Sequence, residues 1–202
     1  EPAILTTSTS ATSFAEDSLT GINIGTASAT DPEGKTVTFS LSGTGSENFS
    51  VDSSGNISLV NALDYETATS FTLALNASDG VNTSTSELII TVDDVNEAPS
   101  LTNALAASSF AENVATGTTI ATASASDPES QSITYSLSGT GSDKFAVDSA
   151  GNITLSSALD YETTTSYALT LTASDGTNST SNTINISVAD VVELSIALAS
   201  SS

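Results

Sequence analysis

Cysteine, histidine, tryptophan and arginine are all absent from this chain, and only two lysines, Lys35 and Lys144, carry positive charge. Without cysteine there is no disulfide framework and no thiolate metal site. Without cysteine or histidine, zinc lacks its preferred ligands and catalysis lacks its commonest general base and its thiol nucleophile. Two basic residues cannot neutralise a run of phosphates, so neither nucleic acid nor an anionic membrane surface is an expected partner. No apolar run approaches the roughly 18 residues of a membrane-spanning helix, so membrane insertion by this segment is not expected. Aromatics are few, six Phe and four Tyr. A core built from this sequence must therefore rest on Val, Ile, Leu and Ala.

What the chain has in excess is negative charge: 24 Asp plus Glu, for a net charge of −22 over 202 residues. Dispersed over a surface, such charge confers solubility. Clustered, it needs a counter-charge that two lysines cannot supply, and a bound cation is the remaining source.

The acidic residues are clustered by a repeat. Phe14 recurs as Phe110, Asp31-Pro32-Glu33 as Asp127-Pro128-Glu129, Leu63-Asp64-Tyr65-Glu66 as Leu159-Asp160-Tyr161-Glu162, and Asp79-Gly80 as Asp175-Gly176. Every pair is 96 positions apart, as 14 is from 110, so no insertion separates the copies. A period this long is a whole domain and not one turn of a solenoid. Two domains of about 100 residues each fit the usual domain size.

Within each copy, apolar and polar residues alternate with period two, which marks strands. Phe71 to Ala77 places its odd positions inward, and Tyr167 to Ala173 repeats the pattern. Val37 to Leu41, Ile22 to Ala29 and Leu88 to Val92 read as further strands. Phe49 and Val51 lead into the turn Asp52-Ser53-Ser54-Gly55-Asn56, and Ile57 and Leu59 return from it. Gly55 supplies the positive φ that such a hairpin needs. No window carries a helical stripe. About seven short strands in about 100 residues predict an all-β chain of two tandem seven-stranded Greek-key β-sandwiches. The expected domains are residues 1–96 and 97–194, with a linker at about 93–99 and a tail at 195–202. The linker, Asp93-Asp94-Val95-Asn96-Glu97-Ala98-Pro99, is short, acidic and ends in proline, which favours a stiff connection. Residue 1 falls in linker register, so the chain is expected to be a piece of a longer protein.

These motifs resemble those of cadherin repeats. Leu63-Asp64-Tyr65-Glu66 is similar to the family's L-D-x-E signature. Phe49 through Ile57 resembles the hairpin before it, and Ala77-Ser78-Asp79-Gly80 the A-x-D-G after the sixth strand. Asp94-Val95-Asn96-Glu97-Ala98-Pro99 is similar to the interdomain D-x-N-D-N-x-P. Four motifs in the correct order, twice, cover nearly all of both copies, and they look most like those of exported bacterial members. The resemblance implies an immunoglobulin-like sandwich and calcium at the junction between domains. Its implied ligands are Glu16, Asp64 and Glu66 from the first domain, Asp94, Asn96 and Glu97 from the linker, and Asp127, Glu129 and Asp175 from the second domain. The pattern departs from the family in a linker one residue shorter, in Glu97 for Asp, and in Glu129 for the second Asp of D-x-D. One to three ions are compatible with this donor set.

The chemistry agrees with calcium independently of the resemblance. Calcium takes six to eight oxygen ligands from carboxylates and carbonyls, whereas magnesium prefers a small octahedral shell with retained waters. Two carboxylates about 5 Å apart at an effective dielectric of about 20 repel by roughly 3 kcal/mol, which a divalent ion offsets. The competing reading is that these Asp and Asn residues close Asx-turns. Asp52 and Asp148, in the hairpins, are read as turn residues only. A matching downstream set, Glu112, Asp160, Glu162, Asp190 and Glu193, and an upstream set, Asp31, Glu33 and Asp79, lie toward the two ends of the chain, and only the central junction is expected to be complete.

Three functions follow for testing. The first is a secreted or cell-surface adhesion module stiffened by calcium, with homophilic contact as one mode of adhesion. The second is a module that binds cell-surface polysaccharide, for which the shortage of aromatic platforms is unfavourable. The third is a carboxylate-based glycoside hydrolase. Asp64 and Glu66 read better as ligands than as a catalytic pair, so the chain is not expected to be an enzyme.

Overall fold

The computed structural model describes residues 1–9 and 12–192. The predicted tail at 195–202 and Glu193 lie outside the described residues. The chain forms two compact units that divide between Val95 and Asn96.

The first unit contains β1 (Ile4–Thr9), β2 (Ser13–Ala15), β3 (Asn23–Thr30), β4 (Thr38–Ser42), β5 (Phe49–Val51), β6 (Asn56–Leu59), β7 (Ser70–Ser78) and β8 (Thr83–Asp93). They form two four-stranded sheets, ordered β1-β3-β6-β5 and β2-β8-β7-β4. The chain crosses between sheets after β1, β2, β3, β4 and β6, which gives the sandwich its Greek-key connectivity. Eight strands replace the seven expected because the first is broken in two. Its front half, β1, pairs antiparallel with β3, and its back half, β2, pairs parallel with β8 in the other sheet.

Alternation decides which residues meet between the sheets. Along β7 and β8 the buried positions are Leu73, Leu75, Ala77, Leu88, Ile90 and Val92, each two residues from the next within its strand. Their register sets Leu73 opposite Leu88 and Phe71 opposite Ile90. The facing sheet contributes Ile24, Phe49, Ile57 and Leu59 to the same core. Phe49 and Phe71 meet edge to face with centroids 5.3 Å apart, an arrangement favoured by the ring quadrupoles.

The second unit repeats this plan with β9 (Ser100–Leu105), β10 (Phe110–Ala111), β11 (Thr119–Ser126), β12 (Thr134–Ser138), β13 (Phe145–Val147), β14 (Asn152–Leu155), β15 (Ser166–Ser174) and β16 (Ser179–Ala189). Its sheets are β13-β14-β11-β9 and β10-β16-β15-β12. Phe145 and Tyr167 form the equivalent ring pair, also 5.3 Å apart.

The β5–β6 hairpin shows why its turn needs glycine. Gly55 has φ of 84°. Its carbonyl accepts the N–H of Ala27 at 2.8 Å, so the turn lies against β3. A Cβ at this position would overlap the Ala27 carbonyl oxygen, whereas at Gly80, with φ of 88°, it would meet open space. Gly55→Ala should therefore destabilise its domain by at least about 2 kcal/mol, and Gly80→Ala by about 1 kcal/mol. Urea unfolding of both variants checks this; equal losses would mean that the close approach to Ala27 costs nothing.

Candidate cation-binding site

The parallel pairing of β2 with β8 builds the first acidic set. Ala15 stands opposite Asp93, so the next residues on each strand, Glu16 and Asp94, emerge side by side. Glu16 is 5% exposed. Its Oε2 accepts the N–H of Tyr65 at 2.7 Å and its Oε1 the N–H of Val95 at 2.8 Å. One buried carboxylate thus ties the Leu63–Glu66 loop and the outgoing chain to the end of the first strand. Carboxylate oxygens of Glu16, Glu66 and Asp94 lie within 4.8 Å of one another.

Asp64 has a different place. Its Oδ1 accepts the N–H of Thr67 at 2.8 Å and its Oδ2 the Thr67 hydroxyl at 2.9 Å, so it closes the turn of its own loop. This is the Asx-turn role that competed with ligation in the sequence.

The second unit reproduces the arrangement. Ala111 pairs with Ala189, which sets Glu112 beside Asp190. Glu112 accepts the N–H groups of Tyr161 and Val191, both at 2.8 Å, and these two donors hold its carboxyl below the usual range despite burial. Glu112, Glu162 and Asp190 form a second triad within 4.8 Å. At Glu162 a backbone N–H pulls the carboxyl down, but burial and the charges of Glu112, Asp190 and Asp160 outweigh it, and the net shift is upward. Burial is the larger cause of that upward shift, and the neighbouring negative charges add to it. Asp160 again caps its turn, through Thr163. The contribution expected from Glu193 lies outside the described residues.

The opposite end of the second unit carries the remaining expected ligands. Asp127 follows β11 and its Oδ1 accepts the N–H of Gln131 at 2.8 Å. Glu129, two residues on, accepts the N–H of Glu97 at 2.8 Å through Oε1, and this donor holds its carboxyl below the usual range. Asp175, after β15, accepts the N–H groups of Thr177 and Asn178 at 2.6 Å through Oδ1, and the side chain of Asn96 at 2.9 Å through Oδ2. The Asn96 amide is the largest cause that lowers the Asp175 carboxyl, with burial acting against it. The Asn96 backbone carbonyl accepts the amide of Asn178 at 2.6 Å, and its side-chain oxygen the amide of Gln131. Asn96 and Glu97 are thus folded onto the loops of the second unit. Asp127 Oδ2 and Glu129 Oε2 are buried and accept no hydrogen bond. A buried carboxylate oxygen without a donor is costly, and a hard cation satisfies it.

Sequence reasoning missed two members of this set, Asn178 and Gln131. The repeat offered a signal for Asn178, because Asn82 holds the same position 96 residues earlier and its backbone N–H donates to Asp79 as that of Asn178 does to Asp175. Nothing in the spacing marked Gln131.

The ten aromatic rings are all engaged elsewhere. Phe49, Phe110, Phe145 and Tyr167 are buried, and Phe14, Phe39, Phe71, Tyr65, Tyr135 and Tyr161 pack against the two cores. No described helix is long and apolar enough to cross a membrane.

Two tandem Greek-key sandwiches with acidic triads at the ends of their first strands define an immunoglobulin-like repeat class. The cadherin domain model matches residues 10–93 and again 107–189, and the chain belongs to the cadherin family. Cadherin-related family member 1 of Mus musculus is 33% identical over 198 residues, 89% of this chain and 23% of that protein. Human cadherin-23 is 36% identical over 169 residues, 80% of this chain and 5% of that protein. The chain therefore spans less than a quarter of the length of these relatives. Among solved structures, human protocadherin-24 EC1-2 superposes with a TM-score of 0.60 at 25% identity, covering 89% of this chain and 94% of that one. Drosophila N-cadherin EC1-4 gives 0.57 at 25% identity, with 90% and 47% covered.

Proposed function

We propose that this chain is a calcium-binding tandem cadherin module of a larger secreted or cell-surface protein, and that calcium at the junction of its two domains stiffens it for adhesion or surface projection. The observation that carries the reading is the pair of buried, unpartnered oxygens on Asp127 and Glu129, in the acidic set Asp127, Glu129 and Asp175 that the sequence also carries as Asp31, Glu33 and Asp79. The donors fit the ion: they are all oxygens, mostly carboxylate, in a chain with no nitrogen or sulfur metal ligand. Calcium would supply positive charge and a flexible oxygen coordination shell. The proposed ligands are Glu16, Glu66 and Asp94 on the first domain's side, and Asn96, Glu97, Asp127, Glu129 and Asp175 on the second domain's side. Asp64 keeps a place in the set through its loop, although its carboxylate is occupied by Thr67. Continuity of the chain supports a shared site, since a single peptide bond joins Val95, held by Glu16, to Asn96, held by Asp175.

Adhesion through a second copy of the same protein is the partner we propose, by analogy with the family. The relatives named above are animal proteins, and the exported bacterial type expected from the motifs remains part of this proposal. Binding to polysaccharide has less support, because every aromatic ring is engaged in a core. We propose no catalytic role.

Small-angle scattering in millimolar calcium and then in excess chelator tests the reading. Chelation should broaden the distribution of maximum dimensions and leave each domain folded. An identical, equally extended profile under both conditions would refute stiffening by calcium.

A further inference from the structure

One charged side chain separates two acidic sets whose turn hydrogen bonds match, and in the first the terminal ammonium of Glu1 also lies 3.4 Å from Glu33 Oε1. In the first domain, Asp31 Oδ1 accepts the N–H groups of Glu33 at 2.8 Å and Lys35 at 3.0 Å. Asp79 Oδ1 accepts those of Val81 at 2.8 Å and Asn82 at 2.6 Å. Asp127 and Asp175 make the corresponding bonds with Gln131, Thr177 and Asn178. Position 35 corresponds to position 131, and the backbone does the same work at both. The side chains do not. Lys35 Nζ lies 3.1 Å from Glu33 Oε2 and 3.6 Å from Asp79 Oδ2, and the Asp79 side chain is fully buried. Gln131 carries no charge and turns its amide to Asn96.

We propose that Lys35 is a tethered cation that bridges Glu33 and Asp79 and offsets part of the charge of the Asp31–Glu33–Asp79 set, so that this set depends less on a divalent ion than its counterpart, Asp127–Glu129–Asp175. This inference rests on the calcium reading of the second set. An ammonium group and a calcium ion compete for the same carboxylate oxygens. The ammonium brings one charge and three donors but no coordination shell. Because it is covalently attached, it is present at every calcium concentration, and a divalent ion entering that set must displace it. The remaining lysine, Lys144, is spent elsewhere, on the carbonyl of Ala158. Two repeats of one design thereby acquire different metal demands through one substitution.

Exchange of the two side chains in the full chain tests this. Calorimetric titration with calcium chloride and thermal melting in excess chelator would be measured for the parent, Lys35→Gln, Gln131→Lys and Gln131→Met. Gln131→Met removes the amide bond to Asn96 without adding charge, and so separates the effect of charge from that of the lost contact. Gln131→Lys should weaken the calcium site of the second domain at least about tenfold more than Gln131→Met does, since a like charge is placed within a few ångströms of the ion. Lys35→Gln should lower the melting temperature of the first domain in chelator by about 2 °C, the scale of an exposed ion pair. Equal calcium affinity in Gln131→Lys and Gln131→Met overturns the competition. Unchanged melting of Lys35→Gln in chelator overturns the charge offset. A parent chain that takes up no calcium overturns the calcium reading instead, and the chelator melt then still decides the role of Lys35.

Discussion

Leu75→Ala should cost the first domain about 2–5 kcal/mol and leave the second domain's unfolding unchanged. Leu75 is fully buried, at 0% exposure, at the middle of β7. It pairs with Leu41 on β4 and Ser86 on β8 and faces the other sheet across the core. Truncation to alanine removes transfer free energy and leaves a cavity between two sheets whose hydrogen-bonded frames cannot collapse onto it. A domain of about 100 residues is stable by only about 5–15 kcal/mol, so the loss is a large share of the total. Denaturant unfolding followed by the chemical shifts of buried methyl groups in each domain reads the two units separately. Equal destabilisation of both domains, or a loss under about 1 kcal/mol, would contradict two independent cores.

The strands were legible because period two is imposed directly by the sandwich: every second residue of β7 and β8 meets the opposite sheet, and the sequence must say so. The hairpin glycine was legible for a similar reason, since Gly55 answers a local backbone demand. The break of the first strand into β1 and β2 was not legible. It depends on which neighbour each half finds, β3 for one and β8 for the other, and pairing over some 80 residues of separation leaves no local mark. The same limit explains the acidic residues. Spacing identified which carboxylates recur, but Asp64 and Glu66 are two residues apart in one loop and differ in role: one bonds Thr67, the other joins Glu16 and Asp94. Only the parallel register of Ala15 with Asp93 separates them. Lys35 follows Glu33 by two residues, and no motif marks it as a partner of the acidic set. It lies on the upstream set because the turn that follows Asp31 carries it back over Asp79.

Asp127→Asn should abolish the tightest calcium site while preserving both folds. The change is chosen to divide the two roles of this side chain. Its Oδ1 accepts the N–H of Gln131, a bond that an asparagine carbonyl oxygen also makes, so the turn after β11 survives. Its Oδ2 is buried without a donor, and that atom is the one a cation would claim. An amide there offers N–H in place of a carboxylate oxygen and removes one negative charge from the set around Glu129. Affinity for calcium in modules of this kind depends on the number of charged ligands. The loss should therefore exceed about tenfold, with melting in chelator unchanged. Asp31→Asn provides the internal control. Asp31 makes the same turn bonds and its Oδ2 is equally buried without a donor, but its neighbourhood already contains the ammonium of Lys35. Calcium titration of the two variants should then differ: a large loss at position 127 and little change at position 31. Equal losses would mean that the two sets bind metal alike. No loss in either would remove Asp127 from the ligands and, with it, the reason to place an ion on the second domain.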